Sequence, residues 1–153
     1  MIVPAEGEFR LDYEADTERL GAAIARELKP HEAVCLSGPL GAGKSTLARG
    51  LIWALAGENV EAPSPTFTLV QTYDGEVFPL AHFDLYRLEK PEEVLELGLD
   101  EALDTGAAVI EWAEKLGHHL PPDRLDVELE IDGPSRRARL TPHGAWQERP
   151  LEF

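Results

Sequence analysis

The chain is poor in cysteine, in basic side chains and in long apolar stretches, and each shortage removes a class of protein. A single cysteine, Cys35, stands among 153 residues, so no internal disulfide forms and no cysteine-rich zinc site is available. That suits a reducing compartment, and a cytoplasmic location is expected. No run of about 18 apolar residues occurs, and Met1 to Arg10 lacks the basic start and long apolar stretch of an export signal. Neither membrane spanning nor export is indicated. Lys and Arg number 14 against 29 Asp and Glu, for a net charge of -15. The averaged field of such a surface repels phosphate backbones, so direct binding to nucleic acid is not expected. A nucleotide remains possible, because backbone amides, one lysine and a divalent cation can build a local positive site inside an acidic protein.

What is present reads as one globular domain over 1–153: 43% hydrophobic residues beside 28% charged, at a length that buries a real core. Leu20, Ile24 and Leu28 recur every fourth residue after Asp16-Thr17, which predicts a helix from Thr17 to Leu28, ended by Lys29-Pro30. The run Ala33 to Leu36 reads as a buried strand leading into a glycine-rich turn. A helix from Lys44 to Ala56 follows, with Gly57 as its stop. Glu61 to Phe67 carries two prolines and reads as an exposed, shaped loop. Thr68 to Tyr73 and Val77 to Phe83 are strand-like around Asp74-Gly75, a hairpin signal. Pro91-Glu92-Glu93 opens a helical stretch that continues through Leu99 to Leu103. Ala107 to Ile110 is a short strand ending at Glu111. Leu125 to Ile131 and Arg136 to Thr141 form a second expected hairpin, and residues 142–153 are unassigned. The expected fold is α/β: a mostly parallel central sheet of the P-loop NTPase type, flanked by helices, with antiparallel hairpin additions.

The pattern G-x-x-x-x-G-K-[ST] is met by Gly38-Pro39-Leu40-Gly41-Ala42-Gly43-Lys44-Ser45, between a strand-like and a helix-like run. Glycines there open backbone dihedrals that turn successive N–H groups towards phosphate oxygens, and the following helix, beginning Lys44-Ser45-Thr46, adds its dipole. Lys44 would reach the β- and γ-phosphates, and the Ser45 hydroxyl would hold Mg²⁺, whose small shell prefers oxygen. Such a site also needs a strand-end acid, and Asp84 and Glu111 both qualify at the carboxyl edge of the sheet. Thr66, in the proline-braced loop, is a candidate switch hydroxyl. His82, a lone histidine in a strand, reads first as structural, and His118-His119 as a solvated turn. Arg136, Arg137 and Arg139 are the one basic cluster, with Arg137 and Arg139 on a common strand face that reads as solvated. Trp112 would fill core or report on the site through its fluorescence.

Taken together, Gly38 to Ser45, Ser64-Pro65-Thr66-Phe67, His82-Phe83-Asp84-Leu85-Tyr86-Arg87 and Ile110-Glu111-Trp112 closely resemble the TsaE (YjeE-type) ATPases, in order and spacing, from about Tyr13 to Leu140. The resemblance implies an Mg²⁺-dependent ATPase required for threonylcarbamoylation of tRNA adenosine 37 (t6A), with ATP and Mg²⁺ as cofactors. It implies the TsaB–TsaD complex as protein partner, with tRNA met only through that complex and with slow turnover alone. It assigns Gly38, Gly41, Ala42, Gly43, Lys44, Ser45 and Thr46 to the phosphates, Ser45, Glu111 and Asp84 to the metal, and Asp84, Glu111, Thr66 and Lys44 to catalysis. It puts Glu14 and Thr17 at the adenine edge. Ser45 stands where the family more often has threonine, a mild change since either residue supplies a hydroxyl.

Two other readings compete. A small-molecule kinase needs cations around a second phosphate pocket, yet between Leu51 and Pro122 the only Lys or Arg residues are Arg87, Lys90 and Lys115. A nucleotide-dependent binding module, in which ATP orders the Ser64 to Phe67 loop without needed hydrolysis, stays open from sequence.

Overall fold

The computed structural model describes residues 1–153. Its strands and helices run β1 (Ile2–Pro4), β2 (Gly7–Leu11), α1 (Glu14–Glu27), β3 (Ala33–Ser37), α2 (Lys44–Ala56), β4 (Val70–Asp74), β5 (Pro79–Asp84), α3 (Glu93–Glu96), α4 (Leu99–Thr105), β6 (Ala107–Glu111), β7 (Arg124–Asp132), β8 (Ser135–His143) and β9 (Pro150–Glu152). A seven-stranded sheet has the order β2-β8-β7-β3-β6-β5-β4. Its centre, β7-β3-β6-β5, is parallel, and the hairpin strands β4, β8 and β2 extend both edges antiparallel.

The central strands are apolar throughout because both faces are covered. Along β3, Val34 and Leu36 face the helices α1 and α2, while Ala33 and Cys35 face the α3, α4 and Ala113–His119 side. Thus α1 and α2 roof one face of the sheet, and the nucleotide-type loop runs from the end of β3 to the start of α2 on that face.

Local chemistry explains most boundaries. Helix α1 begins earlier than its apolar spacing suggests, at Glu14, because the Asp16 carboxylate accepts from the Tyr13 amide at 3.1 Å and caps the first turn. Helix α2 spans Lys44 to Ala56 as expected and stops at Gly57, which takes φ 78°. The first hairpin differs from expectation. Its strands are Val70–Asp74 and Pro79–Asp84, so Val77 lies in the connection and is exposed. The cause is tertiary: the Glu76 amide donates to the Leu55 carbonyl at the end of α2 at 2.8 Å, which lengthens the turn. The helical stretch after Pro91 is also divided, because Gly98 adopts φ 86° between α3 and α4.

The tail, unassigned from sequence, is built into the core. After β8 a 3₁₀ turn over Gly144–Trp146 inserts Trp146, which is fully buried, and β9 returns to pair antiparallel with β1. Arg149 forms a two-pronged pair with Glu32 at 2.7 and 2.8 Å, and its guanidinium lies 4.4 Å from the Trp146 ring centroid. This side chain pair ties the tail to the loop that enters β3.

Candidate nucleotide site

Gly38 follows Ser37 at the end of β3 with φ 133°, and any side chain there would run into the Leu129 carbonyl of β7. Gly43, the residue that caps α2, has φ 108°. A glycine is therefore required at both ends of the turn, and the loop wraps the amino terminus of α2, where helix N–H groups lack intrahelical partners. Ala42 turns its methyl into the core, so its part in the loop is its backbone.

Parallel register sets the acids. Asp84 at the end of β5 is the direct cross-strand partner of Glu111 at the end of β6, and β6 neighbours β3. Both carboxylates are almost fully buried, at 3% and 2% exposure. Ionised acids survive at such depth only with donors or cations around them. Glu111 receives the Ser45 hydroxyl at 2.7 Å and the His82 Nε2 at 2.5 Å. Asp84 accepts from Ser64 at 2.8 Å, Thr66 at 3.1 Å and the Tyr86 amide at 3.0 Å, and the Ser64 hydroxyl lies 3.5 Å from Glu111 as well.

Lys44 is the cation of the cleft. Its Nζ donates to the Gly38 and Pro39 carbonyls at 2.6 and 2.9 Å and sits 4.0 Å from the Trp112 ring centroid. Burial lowers its pKa from the ordinary lysine value, and the nearby carboxylates of Glu114, Glu111 and Asp84 oppose that shift. Trp112 reaches this position because it takes φ 59°, a left-handed conformation that an indole-bearing residue adopts at a cost of about 1–3 kcal/mol. Cys35 is unsuited to chemistry, since burial pushes its thiol pKa far up.

These groups line a cleft of about 370 Å³ that includes Gly41, Gly43, Lys44, Ser45, Thr46, Ser64, Thr66, Asp84, Tyr86, Glu111 and Trp112. Across the same loop, a second cavity of about 190 Å³ shares Gly41, Gly43 and Thr46 and is walled by Tyr13, Glu14, Thr17 and Arg136. One face of the loop thus meets oxygen donors, and the other meets the start of α1. Ser45, Glu111, Asp84 and Thr66 present hard oxygen atoms to this cleft, the chemistry that Mg²⁺ favours.

Residues 11–139 match the family model described as "Threonylcarbamoyl adenosine biosynthesis protein TsaE". The chain belongs to the TsaE family. Among its relatives, the TsaE of Rickettsia felis is 44% identical over 127 residues, which is 83% of this chain and 74% of that protein. The TsaE of Aquifex aeolicus is 38% identical over 87% of this chain and 94% of its own length. The crystal structure of Bacillus subtilis YdiB superposes with a TM-score of 0.76 at 29% identity, covering 94% of this chain and 88% of that one. The TsaE-like fold, a mixed sheet with a parallel centre between helices, is therefore the fold expected from sequence.

Within this TsaE fold the four motifs, distant in sequence, converge on one cleft. Glu14 and Thr17 border the second cavity; Thr17 is buried with its methyl towards Gly43, and Glu14 pairs with Arg49 at 2.8 Å. Sequence reasoning gave no site role to Ser64, Tyr86, Tyr13 or Arg136. Ser64 was visible as the first residue of its motif, but nothing in the chain showed that its hydroxyl meets Asp84. Arg136 faces away from Arg137 and Arg139, as strand alternation requires, and donates to the Gly41 carbonyl at 3.1 Å. Its neighbours instead pair with surface acids, Arg137 with Asp132 and Arg139 with Glu8.

The position of Trp112 gives an optical prediction. Displacing the Lys44 ammonium from above the indole changes its surroundings, so titration with ADP or ATP is expected to alter tryptophan emission. Trp112→Phe should remove that change while Trp53 and Trp146 still emit. An unchanged emission, with binding proven by calorimetry, would place the nucleotide elsewhere.

Proposed function

We propose that this protein is an Mg²⁺-dependent ATPase of cytoplasmic t6A biosynthesis, acting with the TsaB–TsaD complex and reaching tRNA only through it. The observation that carries the proposal is a single cleft holding a glycine-rich loop, a helix amino terminus, Lys44 and two strand-end acids. In this reading the loop amides and Lys44 bind the triphosphate, and the second cavity, edged by Glu14 and Thr17, accepts the nucleoside. The cation, held by Ser45 and Glu111 with Asp84 close by, would neutralise charge on the phosphate oxygens. Asp84, joined to Ser64 and Thr66, orients the attacking water and takes up its proton, so closure of the loop and assembly of the catalytic group are one event. The printed names of the relatives, proteins of tRNA threonylcarbamoyladenosine biosynthesis, support the pathway.

A slow, partner-stimulated turnover follows if a partner completes the site from the exposed side, where Leu40 of the loop and Phe67 both stand in solvent at 78% and 85% exposure. The deciding experiment is threonylcarbamoylation of tRNA reconstituted from the purified TsaB–TsaD complex and the other components, with and without this chain. Modification should depend on the chain and be lost with Lys44→Ala. Full modification in its absence would overturn the pathway assignment. Full modification with a variant that binds ATP but does not hydrolyse it would establish the binding-module reading instead.

A further inference from the structure

Glu111 and Asp84 are neighbours in register, yet their closest partners come from different parts of the fold. Asp84 is held by the Ser64 and Thr66 hydroxyls of the loop. The closest contacts of Glu111 come from the scaffold: Ser45 in the first turn of α2 meets Oε1, and His82 meets Oε2, with the Ser64 hydroxyl only at 3.5 Å. His82 lies two residues before Asp84 on β5, on the same α2-facing side of the strand. Its cross-strand partner is Val109, two residues before Glu111, so the His82 ring reaches diagonally upward beneath the carboxylate. It is 1% exposed, and its Nε2 meets Oε2 of Glu111 at 2.5 Å while its Nδ1 has no hydrogen-bond partner, so this contact is the one that fixes the ring.

We propose that His82 is a positioning residue that holds Oε2 of Glu111 from below and so keeps Oε1 turned towards Ser45 for the cation. The inference rests on the nucleotide reading above and deepens it. Without the imidazole, the Glu111 carboxyl group is free to rotate about its own bond, and Oε2 keeps only the Ser64 hydroxyl at 3.5 Å. Partners of metal-binding carboxylates typically change metal affinity about 10–100-fold when removed. His82 thereby makes Glu111 the fixed acid of the pair, and leaves Asp84 as the one that responds to the Ser64 to Phe67 loop.

The test is direct cation binding, read by electron paramagnetic resonance of Mn²⁺ in the presence of ADP, with ADP affinity measured separately in chelator by calorimetry. His82→Leu should weaken Mn²⁺ binding about 10–100-fold and leave cation-free ADP affinity and folding cooperativity as in the parent. His82→Gln, whose amide nitrogen lies close to the place of Nε2, should restore most of the loss. Because a leucine under a buried acid can prevent folding, the pair Glu111→Gln and His82→Gln/Glu111→Gln completes the set: once Glu111 is neutral, the change at His82 should have no further effect on Mn²⁺. Equal Mn²⁺ affinity in parent and His82→Leu overturns the role of His82 alone, as does a joint loss of cation-free ADP binding. Absence of ADP-dependent Mn²⁺ binding in the parent overturns the nucleotide reading, and the role of His82 with it.

Discussion

Asp84→Asn should lower kcat for ATP hydrolysis by about 10²–10⁴-fold, the range lost when a positioned proton acceptor is removed, while ATP still binds. The split follows from the partners of this residue. The Asp84 carboxylate contacts Ser64, Thr66 and the Tyr86 amide, none of which belongs to the phosphate-binding loop. Asparagine keeps the size, and its oxygen accepts from the Tyr86 amide while its NH2 donates to the Ser64 and Thr66 hydroxyls, so the local geometry survives, but it has no basic site for a water proton. Lys44→Ala should behave differently. That side chain is the cation of the cleft, and its removal acts on binding and on rate together, raising KM as well as lowering kcat. Both variants are measured by phosphate release with and without the proposed TsaB–TsaD partner, with nucleotide affinity from calorimetry. An Asp84→Asn protein with parental kcat would remove this residue from the chemistry and leave Glu111 as the only strand-end acid in play.

Trp146→Ala should cost about 3–5 kcal/mol of folding stability, the usual range for emptying a fully buried aromatic position. Trp146 has no solvent exposure and belongs to the larger of the two cores, together with Leu20, Ile24, Val127, Leu140 and Leu151. The residue also supports Arg149, whose guanidinium faces the ring and pairs with the buried Glu32, so part of the cost comes from a loosened ion pair. For a chain of this size each kcal/mol lowers Tm by about 2–4 °C, and the total shift is large. Urea unfolding with an unchanged m-value is the check. A loss below about 0.5 kcal/mol, as found for ordinary surface positions, would mean that the tail is a detachable flap and not part of the core.

Much of the site was legible because it is written in short, local words. Gly38 and Gly43 are required by the conformation of one turn, and Lys44 folds back onto the Gly38 and Pro39 carbonyls of that turn, so all three are set within eight residues. Helix α2 and its Gly57 stop, and the apolar strands β3 and β6, were equally local, since periodicity and a positive-φ glycine suffice to place them. The hairpin at Asp74 was legible too, but its connection runs longer than expected because the turn is decided by a hydrogen bond to the distant end of α2.

The sequence by itself thus determined the loop, its flanking elements, the two strand-end acids and the family to which the chain belongs. Only the tertiary structure decided that Asp84 and Glu111 stand side by side with different partners, that His82 lies beneath one of them, that Arg136 turns to the loop, and that the tail closes the core. The physical reason is range: dihedral demands and side-chain periodicity act along the chain, whereas strand register, strand order and the diagonal contacts they create exist only after distant segments have paired.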